Sequence, residues 1–420
     1  DLNKNGKLKN NVPIEPIVLR AAAGECISVI LENRLPVDMP DLPQTAIMAG
    51  VVKRDRNSSN GATTFSNNLI KPSSHVGIHA QLLSYDITRS DGANVGINPV
   101  QTVAPRTSSA AEYPTKTYQF YAGHLEREGR PLVRLGRAVD NINATPIEFG
   151  GLAITPADPI KQGQKGLGGA MSIVPQGATW TEDPGMRAAA TVKPLEGSSY
   201  RDFALVWQKS LNPRWASGRP LENIASEGFG VGGDPQDNSG MAINYQTEPL
   251  WYRLQLPPNA PFGRANGGGW GDTLNAHMAY SNALVGSDPV TPILRVKPGQ
   301  PFRTHVVLPT GGSRGSIFQL TGHDWARSPF QSEYRDEYGY PTKYPGVGSV
   351  RFGWNPESTF IGAQESVLPA AHFSMLFPSA GGGNAIPGDY LYRDYAGQGN
   401  ANGLWGILRV SDEPDQTPAP

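Results

Sequence analysis

Four histidines stand beside groups that could help them hold a metal ion or move a proton. His75 and His79 are four apart in "SHVGIH" (74–79), His124 lies near Glu126 and Glu128 in "YAGHLERE" (122–129), and His323 precedes Asp324 in "GHDW" (322–325). On a helix, a four-residue spacing lets two imidazoles share one ion. The residues around His75 and His79 read as strand or loop instead, which sets the pair on one face about 13 Å apart at about 3.3 Å per residue. That is too far for two ligands of one ion, and leaves surface or hydrogen-bonded histidines. His124 and its carboxylates offer a patch for a divalent cation or, more simply, a solvated turn after a strand. Asp324 could orient the His323 imidazole, as carboxylates behind metal-bound histidines do. A hydrogen bond within the core is the plainer reading.

The stretch "DLNKNGKLKNNV" (1–12) sets Asp1, Asn3 and Asn5 ahead of Gly6. Oxygen donors at alternate positions with a glycine at the sixth suit calcium in a tight loop. Val12 stands where that loop needs a bidentate Glu, so the ligand set is partial, and the same residues also make ordinary turns. "GRANGGGWG" (263–271) is glycine-rich but lacks the Lys-Ser/Thr of a phosphate-binding loop. Cys26, in "GECISVIL" (24–31), is the one cysteine. It excludes an internal disulfide and any cysteine-rich zinc or iron–sulfur site, and reads as a structural thiol.

The elements that would position these residues are strands. The 420 residues include 49 glycines and 38 prolines, far above the roughly 12% of ordinary usage, yet the hydrophobic share is a normal 38%. Such a chain builds many short strands joined by turns. "KTYQFYAG" (116–123), "FALVWQKS" (203–210), "LWYRLQL" (250–256) and "HFSMLF" (372–377) are strand-like in composition, and "GDTLNAHMAYSNAL" (271–284) is the best helix candidate. A formal net charge of −1 gives no electrostatic reason to expect nucleic acid or an anionic membrane as partner. No apolar run approaches the roughly 20 residues that span a bilayer. The chain begins at Asp1 with neither an initiator Met nor a signal peptide, which reads as a processed product or a piece of something longer.

An internal repeat organises the strands. "PIVLRAAAGECISVILEN" (16–33) and "PILRVKPGQPFRTHVVLP" (292–309) both run through Leu-Arg, three residues and Gly into a second alternating strand. "GLGGAMSIVP" (166–175) and "GLWGILRVSD" (403–412) both pass from Gly-Leu-x-Gly into apolar alternation. The expectation is an all-β protein of two Greek-key β-sandwich domains, 1–180 and 181–420, with long loop insertions such as 34–72 and 255–290. The turn-rich stretch 176–198 reads as the boundary between them.

These opening and closing segments resemble the cupredoxin domains of multicopper oxidases. That family's last copper motif is His-Cys-His-Ile-x-x-His-x-x-x-Gly-Leu/Met, preceded by an aromatic strand. Setting Gly403-Leu404 on its final pair puts Arg393, Asp394 and Tyr395 where His-Cys-His stands, Gly399 on the later His and Leu404 at the axial position. "SIFQLTGHDW" (316–325) is similar to the motif His-Pro-x-His-Leu-His-Gly-His, with Leu320, Gly322 and His323 kept and Ser316, Gln319 and Thr321 in place of histidines. "GIHA" (77–80) resembles His-Trp-His-Gly with only His79 kept, and "IEFGGLAITPAD" (147–158), where a His-x-His is due, has no histidine. "ADPIKQGQKGLGGAMSIVPQGATWTED" (157–183), "VGIHAQLLSYDITRSDGANVGINP" (76–99) and "GDYLYRD" (388–394) are similar to segments of large bacterial multicopper oxidases, among them manganese-oxidising and outer-surface metal oxidases.

What the resemblance implies is a copper protein's frame with the ligands lost. Blue copper needs a thiolate and two imidazoles in a trigonal set with a weak axial group. Asp394 offers a hard oxygen there and Arg393 a cation. A three-copper cluster needs about eight imidazoles, and the chain has seven histidines in all. The expected function is a copper-free scaffold in, or fragment of, a secreted bacterial multicopper oxidase whose copper lies in other cupredoxin domains or subunits, so that this chain alone is not catalytically competent. The expected location is extracellular, at the cell surface or periplasmic. The alternatives are a non-standard metal-binding or metal-oxidising module using His75, His79, His124 and His323, or a structural module of the cell surface.

Overall fold

The computed structural model describes residues 14–39, 51–53, 63–65, 73–93, 99–108, 111–127, 132–134, 137–139, 141–158, 161–209, 211, 241–253, 280, 288–311, 315–331, 351–352, 355, 358–395 and 398–412. The partial calcium set Asp1, Asn3 and Asn5 lies outside these, as does the helix candidate 271–284 apart from Tyr280. The described α-helices are single turns, Leu250–Arg253 and Gln398–Ala401. The remaining regular structure is almost wholly β.

The strands that carry the architecture are β1 (Ile17–Ala22), β2 (Cys26–Glu32), β3 (Ile78–Ala80), β4 (Thr115–Tyr121), β5 (Gly150–Pro156), β6 (Gly169–Val174), β7 (Thr179–Asp183) and β8 (Met186–Lys193). They continue as β9 (Tyr200–Gln208), β10 (Ile293–Val296), β11 (Phe302–Leu308), β12 (Ser316–Leu320), β13 (Ala363–Val367), β14 (Ala371–Phe377), β15 (Gly388–Asp394) and β16 (Trp405–Val410). In the first sandwich a sheet ordered β1-β6-β5-β3 faces the β2-β4 pair. In the second, β7-β8-β9-β11-β14 faces β10-β16-β15-β12-β13.

The sequence repeat has a structural meaning. In each sandwich the opening strand pairs in parallel with the closing one, Leu19 opposite Met171 in the first and Leu294 opposite Leu408 in the second. The glycine after each opening strand adopts a left-handed conformation, Gly24 at φ 87° and Gly299 at φ 73°. Only glycine takes that conformation freely, and there the chain turns from one sheet to the facing one. Two distant segments share a spacing because each must make the same turn.

Alternation along the strands fills three layers. Phe203, Leu205 and Trp207 of β9 join Leu294, Phe302, Phe318 and Tyr392 in the core of the second sandwich. Leu152, Ile154, Met171 and Ile173 face Tyr118 and Phe120 in the first. The opposite faces of these strands meet each other: Val18, Ala153 and Ala170 pack on Ala188, Ala204, Val206 and Val307. Strands β6 and β9 are therefore buried on both sides, with large side chains inward and small ones toward the neighbouring sandwich. The stretch 176–198, expected as a turn-rich boundary, holds the hairpin β7-β8, which belongs to the second sandwich's sheet. Its alanines gave no visible apolar alternation, yet Ala188, Ala189 and Ala190 are buried.

Candidate functional site

Of the residues aligned with the copper motifs, Ser316, Asp394, Gly399 and Leu404 come together. Strand β12 starts at Ser316 and β15 ends at Asp394, and the two strands pair so that Phe318 lies opposite Asp394. The Ser316 hydroxyl donates to Asp394 Oδ2 at 3.0 Å, and the Ile317 amide donates to Oδ1 at 2.9 Å. After β15 the chain makes the single turn at Gln398–Ala401 and returns, with the Asp394 amide donating to the Leu404 carbonyl at 2.9 Å and the Leu404 amide to Gly399 at 2.8 Å. A Cβ at Gly399 would lie 1.9 Å from Asp394 Oδ2, so that turn sits directly on the carboxylate. Lys209, the residue after β9, joins the cluster by donating from Nζ to Ser316 Oγ at 3.2 Å. Ser316, Asp394, Leu404 and Lys209 are all buried, at 1%, 2%, 0% and 4% exposure.

This seat does not fit copper. It presents one hard carboxylate, one hydroxyl and a glycine without a side chain, where a blue site needs thiolate and imidazoles. An ammonium has also been brought to it. Arg393, next along the strand, turns to the other face, where Nε donates to Gln319 Oε1 at 3.1 Å and the guanidinium lies 5.0 Å from the Tyr395 ring.

His323, a retained motif histidine, spends both ring nitrogens on backbone. Nδ1 lies 3.0 Å from the Thr321 carbonyl and Nε2 accepts from the Gly381 amide at 3.1 Å, which makes Nδ1 the protonated nitrogen. The ring packs edge-on against Tyr390, Phe302 and Phe377. Burial pushes its pKa below the ordinary value, against smaller opposing effects of the Thr321 carbonyl and Asp324. The other retained histidine, His79, sits on β3 with Nδ1 3.0 Å from the Asp91 carbonyl and 3.3 Å from its Oδ1. The same carboxylate accepts from the Tyr85 hydroxyl, whose pKa burial and Asp91 together raise to about 12. His75 contacts Thr102 at the surface, with 3.4 Å between Nδ1 and Oγ1. His124 lies on a separate hairpin opposite Thr145. The four histidines thus occupy different elements, and among the described residues no three His, Cys, Asp or Glu side chains group as a metal site.

A second polar cluster, between the sandwiches, was not anticipated from the sequence. Asp202, His305 and Ser374 lie side by side on β9, β11 and β14. His305 Nε2 is 2.8 Å from Asp202 Oδ2 and Nδ1 is 2.8 Å from Ser374 Oγ. The Gly151 amide, on β5 of the other sandwich, points at both Nδ1 (3.0 Å) and Ser374 Oγ (2.9 Å). A donor facing Nδ1 requires a lone pair there, so the proton resides on Nε2 and is donated to Asp202. Arg20 Nε at 3.0 Å and Ser172 Oγ at 3.2 Å complete the carboxylate's shell. Burial alone would raise the Asp202 pKa, but His305 and Arg20 outweigh it and hold the carboxyl well below the usual range. Beside this row Glu148 pairs with Arg303, whose guanidinium lies 4.0 Å from the Tyr200 ring and 4.9 Å from that of Phe352. The residue types are those of a nucleophile relay, but every member is engaged in joining two sheets.

"GGSRG" (311–315) has the Gly-x-Ser-x-Gly spacing of a nucleophile elbow. It links strand β11 to strand β12, whereas an elbow runs from strand into helix, and Ser313 lies outside the described residues.

No protein-family model matches this chain, and no curated protein does. Among solved structures, the chain is similar to a multicopper oxidase at 12% identity and TM-score 0.42, over 94% of this chain and 78% of that one. It is similar to a copper nitrite reductase from Nitrosomonas europaea at 13% identity and TM-score 0.40, over 96% and 85%. A third is the multicopper oxidase mgLAC, at 13% identity and TM-score 0.41, over 95% and 78%. The chain itself is an all-β protein of two packed β-sandwiches. No helix among its described residues is long and apolar enough to cross a membrane.

Proposed function

We propose that the chain is a copper-free cupredoxin domain pair. It acts as a scaffold in, or forms part of, a secreted bacterial multicopper oxidase, and copper centres carried by other domains or subunits oxidise a metal with oxygen as acceptor. The observation that supports this reading is the filling of the copper position. Ser316, Asp394 and the turn at Gly399 close on one another, and the lysine beside them makes the seat hostile to a second cation. His323, which a ligand role would require to offer a free nitrogen, has both nitrogens occupied by backbone.

Purified chain dialysed against copper and then copper-free buffer is expected to retain less than one tightly held copper and to show no intense blue band. A blue band at one copper per chain would refute the reading. Saturable tight binding abolished by His79→Ala or His124→Ala would point instead to the non-standard metal module.

A further inference from the structure

The seat at Asp394 poses an electrostatic problem that the loss of copper ligands does not by itself resolve. A carboxylate at 2% exposure loses most of its hydration. Desolvating such an ion is costly unless an opposite charge and hydrogen bonds replace the water. In a metalloprotein the ion supplies that charge. Here a positive charge arrives on Lys209, itself 4% exposed. A two-step chain connects them: Lys209 Nζ donates to Ser316 Oγ, and Ser316 Oγ donates to Asp394 Oδ2. The second carboxylate oxygen is taken by the Ile317 amide.

We infer that the Lys209 ammonium is the resident cation of the seat formed by Ser316, Asp394, Gly399 and Leu404, so that Lys209 and a divalent metal ion exclude one another there. This rests on the reading of the chain as copper-free and adds what took the ion's place. Position supports it independently of charge. Lys209 follows β9 and comes from the sheet facing β12 and β15, so its side chain reaches the seat from across the sandwich. The turn at Gly399 closes the side where the motif sets a later histidine. A hard oxygen pair with an ammonium removed is a site for a divalent cation with oxygen preference, not for copper.

The test uses the full chain with three substitutions and cobalt(II) as probe. Lys209→Met removes the charge and keeps the bulk, Lys209→Ala also frees space for an ion and its waters, and Asp394→Asn removes the anion. Lys209→Met and Asp394→Asn are each expected to lower Tm, and the double variant to lower it by less than the sum. Folded Lys209→Ala is expected to gain a cobalt-dependent rise in Tm that wild type lacks, with an affinity at least about tenfold weaker once Asp394→Asn is added. Additive losses in the double variant, an unchanged Tm in Lys209→Met, or a folded Lys209→Ala that ignores cobalt would each overturn the inference. If Lys209→Ala does not fold, the Lys209→Met and Asp394→Asn cycle still decides it. A blue copper band in wild type would sink the copper-free reading as well, whereas a colourless wild type without Lys209–Asp394 coupling sinks this inference alone.

Discussion

Replacing Asp202 by Asn is the sharpest probe of how the two sandwiches are joined. The side chain keeps its shape but loses its charge and half of its acceptor capacity. One amide position can still accept from Arg20 Nε, but the NH2 then faces Ser172 Oγ–H and His305 Nε2–H, both of which now donate to Oδ2. Ser172 can rotate. His305 can escape only by moving its proton to Nδ1, where the Gly151 amide already points at 3.0 Å. The Arg20 side chain, with 0% exposure, loses its closer and buried counter-ion and keeps only the part-exposed Glu182 at 3.7 Å. Breaking a buried pair on one side costs about 3–5 kcal/mol. At about 2.1 cal/mol/K of unfolding entropy per residue, the 420 residues give about 1 °C per kcal/mol, so the expected fall in Tm is on the order of 4 °C. The pH dependence has a definite sign. A carboxyl lowered in the folded state contributes stability above its unfolded value of about 3.9, and loses it as pH falls through the lower folded value. Wild type should therefore lose stability below about pH 4, and Asp202→Asn should flatten that limb. Urea titrations at pH 7 and at acid pH, followed by circular dichroism, measure both effects. A variant within about 0.5 kcal/mol of wild type at pH 7 would refute the argument, since that is the range of an ordinary surface change.

Two more outcomes follow from the same geometry. The His323 pKa is lowered on folding by burial, so the unfolded chain binds the extra proton first and stability falls as pH drops below about 6.5. His372, lowered for the same reason, shares that limb, so His323→Gln should shrink the Tm difference between pH 7 and pH 5 without removing it; an unchanged difference would contradict the assignment. Gly399→Ala puts a methyl 1.9 Å from Asp394 Oδ2, and the required displacement should cost about 1–3 kcal/mol in urea unfolding, against no loss if the turn does not press on the carboxylate.

The sandwiches and their repeat were legible in the sequence because they depend on local rules. Alternation, strand-ending turns and the left-handed glycines at 24 and 299 each leave a mark within a few residues. The buried polar clusters were not. Arg303 and His305 alternate with Phe302, Val306 and Leu308 on β11, a pattern that ordinarily marks a solvent face. In the fold that face is covered by the other sandwich, and the polar residues survive by pairing with Glu148 and Asp202. Lys209 likewise reads as the polar end of a strand, and nothing nearby in sequence announces Ser316 or Asp394, more than a hundred residues away.

The parallel pairing of β1 with β6 and of β10 with β16 governs how such units can be strung together. Antiparallel closure would bring the chain out where it went in. Parallel closure carries it through, about 20 Å along the pair of six-residue strands. A gene that duplicates one such cassette therefore adds it head to tail, in the manner of beads on a thread, without a return loop at each junction.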